Sequence, residues 1–173
     1  MKRAEEHIKK LPPPRLLNYM SERQYPALNK LIDRISAHLE AVIRKEAPVY
    51  PFLFEIEKEF MKITVLVRKQ INKNTQILFP FIDNAWEEGA KDTEIIHSLE
   101  LERADLQADH HRIETHLSCV TEIRQRIKPG IRQSSKLKML LSELTLLDKE
   151  LHWQFNAEDK LLFPKPSKTS HLA

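Results

Sequence analysis

Eleven residues near the middle of the chain recur near its end, and this repeat constrains the fold more than any other feature. Residues 70–80 read Gln-Ile-Asn-Lys-Asn-Thr-Gln-Ile-Leu-Phe-Pro, and residues 154–164 read Gln-Phe-Asn-Ala-Glu-Asp-Lys-Leu-Leu-Phe-Pro. Gln, Asn, Leu, Phe and Pro fall at matching places. Each copy reads as the end of a helix, because proline lacks an N–H and disfavours the helical region for the residue before it. Each copy also sets two polar side chains four apart, Gln70 with Asn74 and Gln154 with Glu158, hence on one helical face. The chain therefore reads as two helical hairpins, each closed by the same signature.

Hydrophobic periodicity supports four helices. The first spans about residues 15–46, with the stripe Tyr25, Leu28, Ile32, Ile35, Leu39, Val42 and a kink or fresh start at Pro26. The second spans about 51–78, with Leu53, Ile56, Phe60, Ile63, Val67, Gln70, Asn74 and Ile77 in heptad spacing. Gln70 and Asn74 thus lie in the core seam. A connector follows over 81–89, with a helical turn around Trp86. The third helix spans about 92–128 (Ile96, Leu99, Arg103, Leu106, His110, Ile113, Leu117, Val120) and stops at Pro129-Gly130. The fourth spans about 135–162 (Leu137, Leu140, Leu144, Leu147, Leu151, Gln154, Glu158, Leu161). Residues 1–14 form a charged arm ending in three prolines, 15–164 the domain, and 165–173 a polar tail. The expected fold is all-α, an antiparallel up-down-up-down four-helix bundle. Two glycines in 173 residues leave no material for the turns of an all-β fold.

Distance from the turns sets the height of each polar residue. With turns near residues 49 and 130, Tyr25, Gln70, His110 and Gln154 all lie roughly 30–36 Å from their turn at 1.5 Å per residue. Tyr25, Gln70, Asn74, His110, Gln154 and Glu158 should therefore form one polar layer inside the bundle. Left unpaired, each buried group costs about 1–3 kcal/mol. They must bond one another, hold water or hold an ion.

The bundle and its paired Leu-Phe-Pro endings resemble hemerythrin-like proteins over residues 15–164. That resemblance implies a non-haem di-iron centre within the bundle. The family's first-helix pattern, Leu-Ile-x-x-Ile-x-x-x-His-His, falls on Leu16 to Tyr25, with Tyr25 in the second His place. The family's His-x-x-x-Glu on the second and fourth helices becomes Gln70-x-x-x-Asn74 and Gln154-x-x-x-Glu158. Its Glu-His-Asp on the third helix becomes Asp109-His110-His111. Of six ligand places only His110 and Glu158 keep a strong ligand type. Neutral amides are weak donors, and Asn74 cannot replace a bridging carboxylate, so the di-iron site is expected to be lost.

The expectation is then a hemerythrin-like protein without a cofactor, acting as a non-enzymatic binding or sensing protein. Gln70, Asn74 and Gln154 fix helix register by hydrogen bonds, and His110 pairs with Glu158. The alternative is non-haem iron or another metal held by His110, Glu158 and Tyr25 in an altered mononuclear or di-iron site handling oxygen, nitric oxide or iron. Arg103 reads as a rim residue whose stem snorkels. His111, His116 and His152 read as surface residues, and Cys119 as packing. A second alternative is an interaction module. The run from Glu150 to Leu162 is similar to the corresponding helix of the anti-sigma regulators of sigma D.

Composition narrows the partners. Charged residues make up 31% of the chain but the net charge is only +3, which argues against a dedicated nucleic-acid grip. One cysteine fits a reducing compartment, no apolar run is long enough to span a membrane, and no secretory signal is visible, so a cytoplasmic setting is expected. A protein partner or a homodimer fits these features. No phosphate loop, Cys-x-x-Cys pair or nucleophile elbow points to an enzyme class.

Overall fold

A computed structural model of the chain describes residues 11–87, 93–127 and 134–159. The elements are α1 (Pro13–Tyr19), a π-helical segment (Met20–Gln24), α2 (Tyr25–Glu46), α3 (Phe52–Lys73), a second π segment (Asn74–Leu78), α4 (Phe79–Glu87), α5 (Thr93–Gln125) and α6 (Ser135–Ala157). The helices α2, α3, α5 and α6 pack antiparallel as a four-helix bundle. The closest pairs are α3 with α5 and α2 with α6, so the tightest packing runs between the two hairpins rather than within them. Among the described residues no helix is long and apolar enough to cross a membrane.

Local chemistry explains the boundaries. Prolines stand at the start of α1, where their missing N–H would have no intrahelical partner, and Leu16 N–H closes the first turn on Pro12 O at 3.0 Å. The turn between α2 and α3 is closed by Tyr50 N–H to Glu46 O at 2.8 Å. Ser134, in extended backbone, caps α6 by accepting from Leu137 N–H at 3.0 Å.

The largest departure from the sequence reading concerns Pro80. The second helix does not stop at Leu-Phe-Pro; it continues through Phe79–Glu87, over much of the expected connector. The π segment before it makes this possible. Phe79 N–H bonds Asn74 O, five residues back, which widens the turn that must receive the proline ring. Pro26 is accommodated in the same way, with Tyr25 N–H bonded to Met20 O. At Glu158–Asp159 the backbone turns π a third time, five residues before Phe163 in the sequence.

The inserted residue also shifts the phase of the helix. Ile77, expected on the core stripe, is 57% exposed, and Leu78 is buried in its place at 1%. Upstream of the π segment the stripes run as expected. Leu28, Ile32, Ile35, Leu39 and Val42 are buried on α2, and Leu53, Ile56, Phe60, Ile63 and Val67 on α3. So are Leu99, Leu106, Ile113, Leu117 and Val120 on α5, and Leu137, Leu140, Leu144, Leu147 and Leu151 on α6. The core extends beyond the expected set at Leu16, Met20 and Ile82, all fully buried. Most of the N-terminal arm, the tail, Pro129-Gly130, the second Leu-Phe-Pro with Leu161, and the side chains of Trp86 and Ile96 lie outside the described residues.

Two residues of α3 give a direct check. Ile63→Ala should lower unfolding free energy by about 2–5 kcal/mol in urea titration. Met61→Ala, two positions away and 62% exposed, should change it by less than about 0.5 kcal/mol.

Candidate functional site: a buried polar layer

All six inward polar residues meet around one carboxylate. Glu158 is fully buried, and five donors converge on it. Oε1 accepts from Tyr25 Oη at 2.7 Å, Gln154 Nε2 at 2.9 Å and Asn74 Nδ2 at 3.1 Å. Oε2 accepts from Gln70 Nε2 at 2.6 Å and His110 Nε2 at 2.6 Å. Asn74 Nδ2 also donates to Tyr25 Oη at 2.8 Å. The layer thus draws on all four bundle helices: Tyr25 from α2, Gln70 and Asn74 from the end of α3, His110 from α5, and Gln154 and Glu158 from the end of α6.

The orientation of the amides follows from what they face. A carboxylate only accepts, so the NH2 groups of Gln70, Asn74 and Gln154 turn toward Glu158. Their oxygens, Gln70 Oε1, Asn74 Oδ1 and Gln154 Oε1, are buried without a hydrogen-bond partner among the described residues. The layer gives up three neutral acceptors to satisfy one charge. Charge-assisted hydrogen bonds are roughly twice as strong as neutral ones, which sets that preference.

His110 is held between two carboxylates. Nε2 contacts Glu158 Oε2, and Nδ1 lies 3.3 Å from Asp159 Oδ1, an ion-pair distance without good hydrogen-bond alignment. Its ring stacks on Phe155 with centroids 4.1 Å apart. Burial pushes its pKa down, but Asp159 and Glu158 together outweigh burial and raise it to about 9. The imidazolium then donates from Nε2 to Glu158 and sets its charged Nδ1–H beside Asp159. The 2.9 Å approach of Gln70 Nε2 to His110 Nε2 is two donors converging on the shared Oε2. Burial, followed by the charge of Glu158, drives the Tyr25 phenol well above its ordinary pKa, so it stays a donor. Phe79 stacks on its ring at 5.7 Å.

Of the three histidines expected at the surface, two are exposed and one is half-buried. His111 and His152 are exposed, and His116 is half-buried and bonded to Glu59 at 2.6 Å. Arg103 lies at the rim and donates to Asp159 O at 3.2 Å. Asp109 is buried and takes an ion pair from Arg112 at 2.5 Å, so it faces its own helix rather than the layer. Cys119 is half-buried.

Sequence reasoning missed Asp159, Phe155 and Phe79 as neighbours of the layer. A signal for Phe79 was present. The signature of residues 70–80 and 154–164 occurs a third time over residues 16–26, Leu-Leu-Asn-Tyr-Met-Ser-Glu-Arg-Gln-Tyr-Pro, with Asn18, Asn72 and Asn156 in register and Tyr25-Pro26 matching Phe79-Pro80. Met20, Asn74 and Glu158 each open a π turn. The copies carry different chemistry at equivalent places. Leu16 and Met20 are apolar where Gln70 and Asn74, or Gln154 and Glu158, are polar, so the first helix contributes Tyr25 instead.

The donor set does not fit a di-iron centre. Two irons need several imidazoles and bridging carboxylates, whereas three of the six residues are amides whose NH2 groups point at Glu158. Among the described residues no group of three or more His, Cys, Asp or Glu side chains is arranged to hold a metal ion. A scan against protein-family models gives no match, and a search of curated proteins finds no significant relative.

Two measurements test the layer. The folded pKa of His110 lies above the roughly 6.5 of an unfolded chain, so its contribution is fully present below pH 6.5 and is lost as pH rises through about 9. Urea midpoints should therefore fall between about pH 7 and pH 9.5, with on the order of 3 kcal/mol at stake, and His110→Leu should flatten that part of the profile. Glu158→Gln leaves the imidazolium and several donors facing a neutral amide, and should cost about 3–5 kcal/mol in the same assay at pH 7.

Proposed function

We propose that this protein is a hemerythrin-like bundle in which a hydrogen-bonded layer stands in place of the di-iron centre, and that it acts as a non-enzymatic binding or sensing protein. One observation carries the reading: five donors saturate the buried Glu158 carboxylate, and three of them are amides. An imidazolium, a phenol and three NH2 groups supply at that point the positive potential that metal ions would otherwise supply. Nothing in such a layer is poised to turn over a substrate. Its acids and bases are bonded to one another and buried. The activity of the molecule then lies in what its surface meets.

A second reading has its own support. Tyr25 and His110 lie 2.7 and 2.6 Å from the two carboxylate oxygens of Glu158, and three buried amide oxygens have no partner among the described residues. A single hard cation would be served by those oxygens and by Tyr25 and Glu158. It would have to take His110 from an imidazolium, which the Asp159 carboxylate opposes.

Metal analysis separates the two. After growth with added iron, manganese and zinc, the purified protein should hold less than about a tenth of an equivalent of each, since a real site fills. It should show no oxo-bridged or phenolate–iron absorption band. A near-stoichiometric metal, with a band that vanishes in His110→Ala, would establish the second reading instead.

A further inference from the structure

The outward face of α3 carries a second apolar stripe. Phe54, Met61 and Val65 are 54%, 62% and 66% exposed, and with Lys58 they follow one another at spacings of four, three and four. That is the spacing of a helix–helix seam, set on the side opposite Ile56, Phe60, Ile63 and Val67. The stripe floors an open groove of about 600 Å³, completed by Leu66 and His116. Three large apolar side chains in line on one helix differ from the scattered exposure of an ordinary surface. The site lies apart from the polar layer, and its use does not depend on how the core is read.

We propose that a second copy of this chain covers the stripe, its α3 lying antiparallel on this one about a two-fold axis passing between Glu59 and Phe60. The numbering makes the face self-complementary in that register. Phe54 meets the second copy's Val65, and Lys58 meets the second copy's Met61, each pair equidistant from the axis. A large ring faces a small branched side chain, and the lysine stem lies along a thioether with its ammonium free to reach the rim. On the edge of the seam, Glu55 comes beside the second copy's Lys62. In each chain these two residues form exposed ion pairs, Glu55 with Arg126 and Lys62 with Glu59, which contribute little and exchange readily. A parallel arrangement would set Lys58 on Lys58 and Phe54 on Phe54, which the antiparallel one avoids. The contact closes on itself, as a two-fold interface must, and so yields a dimer rather than a filament. Its small area makes it a weak, concentration-dependent one.

Sedimentation of the full chain from about 5 to about 500 µM, the range in which small interfaces exchange, should show a monomer–dimer equilibrium. Phe54→Glu should weaken it by about tenfold or more, since it sets a charge against the apolar Val65 of the second copy. Val65→Glu is the second variant, should Phe54→Glu lower helicity by circular dichroism. The register has its own test in a Cys119→Ser background. Phe54→Cys and Val65→Cys in one chain are about 16 Å apart along the helix, too far for a disulfide. Mild oxidation of that double variant should give a covalent dimer with no free thiol, while either single cysteine gives little. A chain that stays monomeric at the highest concentration overturns the proposal. So does a dimer untouched by both glutamate variants, or single cysteines that cross-link as fully as the pair.

Discussion

A carboxylate buried in the core of a helical bundle must be given donors, and the end of this bundle away from the α2–α3 turn is arranged by that requirement. Leaving such a charge without partners would cost several kcal/mol, a large share of the net stability of a small domain. Glu158 avoids this by collecting hydrogen bonds from all four helices. Each donor must then come from a defined height and face. That requirement ties the four helices to one register where apolar packing alone would tolerate sliding. Apolar layers above supply most of the stabilisation, and the polar layer makes one alignment better than its neighbours.

The π turns serve the same end. Each opens at the height of the layer, at Met20, Asn74 and Glu158, and each precedes an aromatic residue followed by proline. An extra residue in one turn lets a helix pass a proline without breaking, and it rotates everything beyond by about 100°. For α4 this rotation takes Ile77 out of the core and brings in Leu78 and Ile82. It also lets Phe79 and Tyr25, equivalent in the repeated signature, stack on one another. The proline therefore marks a change of helical phase next to the polar layer rather than a helix end.

Charge in the layer is balanced locally. His110 as an imidazolium faces Glu158 and Asp159, and Arg103 reaches the backbone carbonyl of Asp159. With amides at Gln70, Asn74 and Gln154, the layer holds few formal charges, which a buried site can tolerate. The same amides that let the layer stand as a hydrogen-bonded unit offer too little charge and too few strong donors for two metal ions. Structure and chemical capacity are set here by the same six side chains.

Period and spacing in the sequence were enough to determine four helices, their apolar stripes and the height at which six polar residues lie, because helical rise and repeat convert residue number directly into position. They also determined that the layer would hold three amides and few imidazoles and carboxylates, since that is a matter of residue identity alone. Three things were decided only by the tertiary structure. The continuation of the helix through Pro80 depends on a π turn, whose cost is met by packing that no local preference encodes. The pairing of Asp159 and Phe155 with His110 depends on how α6 sits against α5, and the selection of Glu158 as the common acceptor depends on all four helices turning a donor toward it. A one-dimensional pattern records distance along each helix but not the rotation of one helix against another, and on that rotation each of these outcomes turned.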